Sequence, residues 1–243
     1  MDKAHEALVR GLREHSRLAE EDVAEVTALS VTVRDFAANE DFIRQGDRPE
    51  YAALVVSGMV ARYHLLRTGR RQYLSFHLSG ELPDAQGLFI QHMDHALCAI
   101  GPASVAFIPH RDLLRAFMRR PSLGLAIWRE TLLDAAIFRE AITNNSARPM
   151  RQRMAHLFCE LFCRAQEAGL TEDNRLQLPI SLGQLGETLG MAIATVNRTL
   201  QELRASGLMD FRDGELTVLK WPELQVVGDF SPDYLHMTKL SPP

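Results

Sequence analysis

The segment SLGQLGETLGMAIATVNRTLQELRASGL, residues 181–208, leaves the chain few choices of fold. Its apolar residues recur at helical spacing on both sides of a glycine, so it reads as two short helices joined by a very tight turn. Ser181 is placed to cap the first helix, and Gln184 three residues later completes a capping box. Leu182, Leu185 and Leu189 supply the apolar stripe, and Gly190 ends the helix where the backbone needs positive φ. The second helix is expected from about Ala192 to Ser206, with Gly207 as its stop. Val196, Leu200 and Leu203 share one face, while Thr195, Asn197, Arg198 and Gln201 point elsewhere. Two short helices at a steep angle, the second polar on its outer face, match the helix-turn-helix that sets a recognition helix in the DNA major groove. An ordinary helical hairpin packed inside a larger domain would show the same two helices.

The residues on either side of the helix pair narrow the choice. Leu208 to Arg212 reads as a strand, Asp213-Gly214 as a hairpin turn and Leu216 to Leu219 as the return strand. A further strand fits Leu176 to Ile180, just before the first helix. Helices followed by a β-hairpin make a winged helix, and Arg212 near the wing tip is within reach of a phosphate.

A chain of 243 residues is long enough for two domains, each with its own core. Hydrophobic residues at 46% and charged residues at 24% are those of an ordinary globular protein. No apolar run approaches the ~20 residues of a membrane span. The N-terminal MDKAHEALVRGLREHSRL is a charged amphipathic helix without a secretory core. A cytoplasmic protein with no membrane partner is expected. Cys98, Cys159 and Cys163 form no disulfide framework, which suits a reducing compartment. The net charge of −4 weighs mildly against nucleic acid as a partner, yet only one face must meet phosphates. Between residues 148 and 212, eight arginines stand against seven carboxylates, so this region is about neutral while the rest is acidic.

The first thirty residues look helical, and from Val31 to Pro109 short strands alternate with turn-formers such as Gly46-Asp47, Ser57-Gly58 and Ser79-Gly80. That spacing suggests a β-sandwich or barrel. A short helix over His110 to Arg119 stops before Pro121, and a longer one runs from about Ser122 to Ala147. Its Leu125, Trp128, Leu132, Ala135 and Ile142 recur as in a helix pairing along a seam, although the same stripe would also serve to cover the barrel. Met154, Leu157, Phe158, Leu161 and Phe162 line another helix after Pro149, which puts the domain boundary at Arg148-Pro149. Residues 1–148 then form a sensor barrel with a long dimerisation helix, residues 149–243 a winged helix-turn-helix domain, and residues 229–243 a poorly ordered tail.

A small barrel, a long helix and a winged helix-turn-helix together resemble the Crp/Fnr family of bacterial transcription regulators. The likeness covers nearly the whole chain and is most specific at LGMAIATVNRTLQELRASGL, with QGD at 45–47, VVSGMV at 55–60 and GEL at 80–82 in support. It implies an α+β fold: an N-terminal double-stranded β-helix (jelly-roll) barrel, a long dimerisation helix and a C-terminal winged helix-turn-helix. It also implies a homodimer that reads a palindromic operator on double-stranded DNA, with RNA polymerase as a further partner. By the resemblance Arg198 matches the family's recognition-helix arginine, whose guanidinium can fork onto guanine. Asn197 matches a position that can reach a base edge, and Thr195 a contact with phosphate or a thymine methyl. Gln201, Arg212 and Ser181 complete the expected DNA-binding set. Ile193 and Ala194 depart from the family's polar positions and can at most meet a thymine methyl. Leu182 and Gly183 likewise replace polar residues, leaving the Ser181 hydroxyl and the helix N-terminus for phosphate.

The signal is less legible. Cyclic-nucleotide binders of the family follow a Gly-Glu-Leu turn with an arginine that neutralises the cyclic phosphate. Here Gly80-Glu81-Leu82 is followed by Asp94-His95-Ala96 where that arginine would sit, and an acidic side chain there would repel phosphate. This argues against cyclic AMP and makes Glu81 a structural residue. No cysteine precedes Cys98, which rules out the family's usual iron–sulfur cluster. Cys159 and Cys163 lie one helical turn apart in an apolar stripe, more suited to a core than to redox chemistry. His64, His77, His92 and His95 raise a metal-holding barrel, but no His-x-His pattern supports one. A haem-type sensor stays open, since axial ligands leave little trace in a sequence. No catalytic residues, metal ligands or cofactor are assigned, and the effector is unnamed. The other reading is a metal- or ligand-sensing barrel whose C-terminal domain meets protein rather than DNA.

Overall fold

The computed structural model describes residues 2–239. Helices α1 (Lys3–His15) and α2 (Glu20–Thr27) come first, and Asp2 caps α1 by accepting the His5 backbone N–H at 3.0 Å. Two antiparallel sheets come next as a jelly-roll sandwich. One holds β1 (Thr32–Phe36), β7 (Ala103–Pro109) and β3 (Tyr51–Ser57), in that order across the sheet. The other holds β2 (Asp41–Ile43), β6 (Ala96–Ala99), β4 (Val60–Leu65) and β5 (Arg71–His77). The turn-formers between the strands adopt turn geometry: Asn39, Gly46 and Gly58 all take positive φ.

Between the sheets lies a small core of Phe36, Ala53, Val55, Val60, Ala99, Ala103 and Val105, with Phe42, Ile43 and Phe107 packed against it. Register explains its membership. Thr32 pairs Phe107, Arg34 pairs Val105 and Phe36 pairs Ala103, so these alternate residues share one face, buried at Phe36, Ala103 and Val105 and exposed at Thr32 and Arg34. The outer face of the first sheet, Ala52, Leu54, Ala106 and Ile108, packs with Leu8, Leu12, Leu113 and Leu123 of the helices.

After β7 come α3 (His110–Arg119), α4 (Pro121–Ala147) and α5 (Met150–Glu167). Pro121 is the first residue of α4 itself, where its missing N–H costs nothing. The C-terminal part runs β8 (Arg175–Gln177), α6 (Leu182–Leu189), α7 (Ile193–Ala205), β9 (Met209–Arg212), β10 (Glu215–Val218) and α8 (Trp221–Gly228). The sheet order β8-β10-β9 is that of a winged helix. Its core is continuous with the outer face of the second sheet: Phe158, Leu161 and Leu185 belong to one cluster with Ala61, Tyr73 and Phe76.

The expected loose tail over residues 229–243 is corrected by the structure for the part described; residues 240–243 lie outside the described residues. Phe230 and Leu235 are buried, and a 3-10 turn at Pro232–Leu235 packs against α4 and α5. The Tyr234 hydroxyl donates to Glu160 at 2.8 Å. Apolar residues anchor this segment at irregular spacing, so no period in the sequence announces it.

Candidate DNA-binding face and barrel cleft

The helix pair is built as its residues dictate. The Gln184 N–H donates to Ser181 Oγ at 3.2 Å, and the Ser181 N–H donates to Gln184 Oε1 at 2.8 Å. Gly190 takes φ of 66° and ends α6. Gly186 plays a part that periodicity does not reveal. A Cβ there would lie 2.5 Å from the Met191 carbonyl oxygen, and the Met191 N–H donates to Gly186 O at 2.8 Å. The close turn between α6 and α7 therefore needs a residue without a side chain. A glycine inside a helical pattern, costing about 1 kcal/mol against alanine, is the signal that could have found it.

On α7, Val196 and Leu203 are fully buried and Leu200 nearly so, which fixes the helix roll. Asn197, Arg198 and Gln201 are exposed on the other side, and Thr195 is half-buried. Ser181, Asn197, Gln201 and Arg212 line one groove of about 500 Å³ between α6, α7 and the wing. Arg198 and Thr195 are not among its lining residues. Arg198 is 68% exposed, its Nε 3.9 Å from Glu202 Oε1 one turn along. Ile193 at the start of α7 is 55% exposed, an apolar side chain offered to solvent.

The wing turns through Asp213 (φ 51°) and Gly214 (φ 76°), the signs a type I′ hairpin requires. Arg212 beside it is not free: its Nε lies 2.9 Å from Asp210 Oδ2. Arg204, which no sequence motif marks, also lines the groove and holds Asp210 Oδ1 at 2.6 Å. Burial works against the Asp210 charge, yet the two guanidinia hold its carboxyl below the usual range.

The second concavity lies between β5, the Gly80-Glu81-Leu82 turn, α1 and α4. It offers about 40 Å³, room for a few waters and not for a nucleotide. Arg164 of α5 closes it, with Nη2 2.8 and 2.7 Å from the two Glu81 carboxylate oxygens and 2.9 Å from the Phe76 carbonyl. Its Nη1 donates to Glu160 at 3.1 Å. Burial opposes ionisation of Glu81, but Arg164 and His77 outweigh it and bring the carboxyl down to about 2. Burial also lowers His77, which sits 2.8 Å from Ser75 Oγ and 3.2 Å from Glu81. Glu14 of α1 is pushed up to about 8, first by burial and then by the charges of Glu81 and Glu130.

Asp94 is not what shuts this cleft. Its side chain is 81% exposed and holds the neighbouring His95 at 2.6 Å. The histidines do not converge: His64 and His92 are exposed, and His77 and His95 have separate carboxylate partners. Among the described residues no group of three or more His, Cys, Asp or Glu could hold a metal ion. Cys159 is fully buried and its thiol is pushed up to about 12 by burial, with the Cys163 charge adding to it. On α4, Leu125, Trp128, Leu132 and Ile142 are 43%, 54%, 51% and 70% exposed, so the stripe is not spent on the barrel.

Comparison with known proteins agrees with this geometry. Residues 152–227 match a Crp-like helix-turn-helix domain, and residues 33–120 match a cyclic nucleotide-binding domain. The chain is 25% identical over 186 residues to the transcriptional activator protein FnrA of Stutzerimonas stutzeri, covering 76% of each. It is 28% identical over 196 residues to the nitrogen fixation regulation protein FixK of Rhizobium meliloti, covering 79% of this chain and 84% of that one. The solved structure of FixK2 from Bradyrhizobium japonicum superposes with a TM-score of 0.74 at 25% identity, covering 82% of this chain and 98% of that one. Among the described residues no helix is long and apolar enough to cross a membrane.

Proposed function

The chain belongs to the Crp/Fnr family of DNA-binding transcription regulators, and we propose that it acts as a homodimer reading a two-fold symmetric operator. The observation that carries this reading is the outward row Asn197, Arg198 and Gln201, exposed on α7 above a buried stripe. A two-fold dimer presents two such helices to half-sites about 34–36 Å apart. Pairing through the exposed stripe of α4 would supply that symmetry. The proposed division of labour is a sensor and dimerisation part over 1–148 and a DNA-binding part over 149–243.

Arg198 makes the base contact in this proposal. Its contact with Glu202 at 3.9 Å is solvent-exposed and worth little, so the guanidinium is free to fork onto guanine. Asn197 and Gln201 reach base edges from the groove, and Thr195 meets phosphate or a thymine methyl. Ser181 and the start of α6 take one phosphate, and Arg212 takes another by exchanging Asp210 for it. The reading is of a cytoplasmic regulator rather than an enzyme, with RNA polymerase as a further partner. Its effector is not cyclic AMP, because Arg164 and Glu81 fill the nucleotide cleft with their own ion pair.

Selection of operators from random DNA tests the proposal. Enrichment of a palindrome with half-sites one helical turn apart is the expected result. Failure to enrich any palindrome would overturn it in favour of a C-terminal domain that meets protein. Trp128→Glu should convert the dimer to a monomer in sedimentation; an unchanged dimer would move the seam off α4.

A further inference from the structure

The jelly roll has a second opening, which shares no lining residue with the Glu81 cleft. We infer that this mouth between the two sheets binds a small aromatic carboxylate. The opening has a volume of about 400 Å³, within the ~300–1,000 Å³ of small-molecule sites, and barrel mouths are a favoured place for them. Its walls come from both sheets: Thr32, Arg34 and Phe107 from one, Phe42 and Ile43 from the other. It sits at the edge of the inter-sheet core, against which Phe42, Ile43 and Phe107 pack.

The chemistry of the mouth points to the ligand class. Phe42 and Phe107 meet edge to face at 6.2 Å, a contacting pair on whose open faces and edges a further aromatic ring can pack. Arg34 shares the face of β1 that carries Phe36, and it is exposed at the rim of the mouth. Its guanidinium lies over Phe36 and Phe107, 5.2 and 5.8 Å from the ring centroids. Among the described residues, neither Arg34 nor Arg48 across the mouth has a carboxylate within ion-pair distance. Of the two acids at the mouth, Asp47 accepts the Arg44 backbone N–H at 2.8 Å, and Glu50 is exposed to solvent. A planar guanidinium held against rings matches a carboxylate bidentately, and the phenylalanines match the ring that carries it.

The test reads binding to the purified full-length protein without DNA, so it stands or falls apart from the operator reading. Benzoate, phenylacetate, benzamide and benzylamine are titrated, with saturation-transfer NMR and calorimetry as the readouts. Benzoate or phenylacetate should saturate and bind at least about tenfold tighter than benzamide, as expected for one charge-assisted pair. Arg34→Gln should erase that preference. Thr32→Trp, which fills the mouth and leaves Arg34 in place, should abolish binding. Tighter binding of benzylamine, an unchanged preference in Arg34→Gln, or no saturation by either carboxylate would overturn the inference.

Discussion

The outer face of α7 and the cleft at Glu81 both gather polar and charged side chains, and they differ in where the partners come from. On α7, Asn197, Arg198 and Gln201 are exposed, and the nearest ion pair, to Glu202, spans 3.9 Å. In the cleft, Arg164, Glu81, His77 and Glu160 satisfy one another at 2.7 to 3.2 Å. The reason is desolvation. A surface that awaits an outside partner keeps its polar groups in water, while a buried group must find its partner within the chain. Burial and pairing in the same pocket thus separate the proposed interface from a cleft the chain has closed with itself. Glu14 is the exception, a half-buried carboxyl on which burial and the charges of Glu81 and Glu130 outweigh those of Arg10 and Arg164.

Four variants would break or sharpen that contrast. The largest effect belongs to Arg164→Ala, which takes the guanidinium from half-buried Glu81 and buried Glu160, leaves them His77 and Tyr234 as partners, and should cost about 3–5 kcal/mol in urea unfolding. Loss of less than about 1 kcal/mol would mean that the cleft is wetter than its geometry implies. On the open face, Arg198→Ala should leave stability within about 0.5 kcal/mol. It should weaken the selected operator by about 1–3 kcal/mol and relax preference at one position per half-site. A uniform loss across sequences would make Arg198 a phosphate contact.

Glu14 supplies a pH test. The folded chain holds the Glu14 proton more tightly than the unfolded chain, so ionising it costs stability as pH rises from 4.5 towards about 8. Glu14→Gln should therefore equal the wild type near pH 4 and exceed it by about 1–3 kcal/mol above pH 8. Glu81 has the opposite sign, since its contribution is present above pH 4.5 and lost as pH falls through about 2. The smallest effect is expected from Asp210→Asn, which releases Arg204 and Arg212. Non-specific DNA binding should tighten by less than about 1 kcal/mol and its salt slope steepen by about 1.

Features whose physics is local are legible in the sequence. The capping box, the turn at Gly190 and the wing at Asp213-Gly214 each depend on residues a few positions apart. Hence the fold of the C-terminal part, and the exposure of Asn197, Arg198 and Gln201, can be read directly. The cleft cannot. Glu81 and Arg164 meet across 83 residues, and Gln184 reaches Asn39 across 145, so no periodicity marks either pair. Asp94 stands in the sequence where a phosphate-binding arginine is expected, but its side chain leaves the cleft altogether. The segment after α8 looks loose for a related reason: Phe230 and Leu235 find their burial on distant helices. Arg34 gives no signal because one charged residue in a short strand reads as solvated; it is exposed, and only the register puts it on the side of Phe36.

The tight approach at Gly186 divides the labour of change within the recognition unit. The angle between α6 and α7 is set by the absence of a side chain, so nearly any substitution there disturbs both helices at once. Asn197 and Gln201 are exposed, so under the proposed reading replacing them should re-address the protein to another sequence without refolding it. In a saturation library, position 186 should hold to glycine while 197 and 201 admit many residues, each with its own preferred operator. New specificities would then lie one substitution apart on a scaffold that a single methyl group can break.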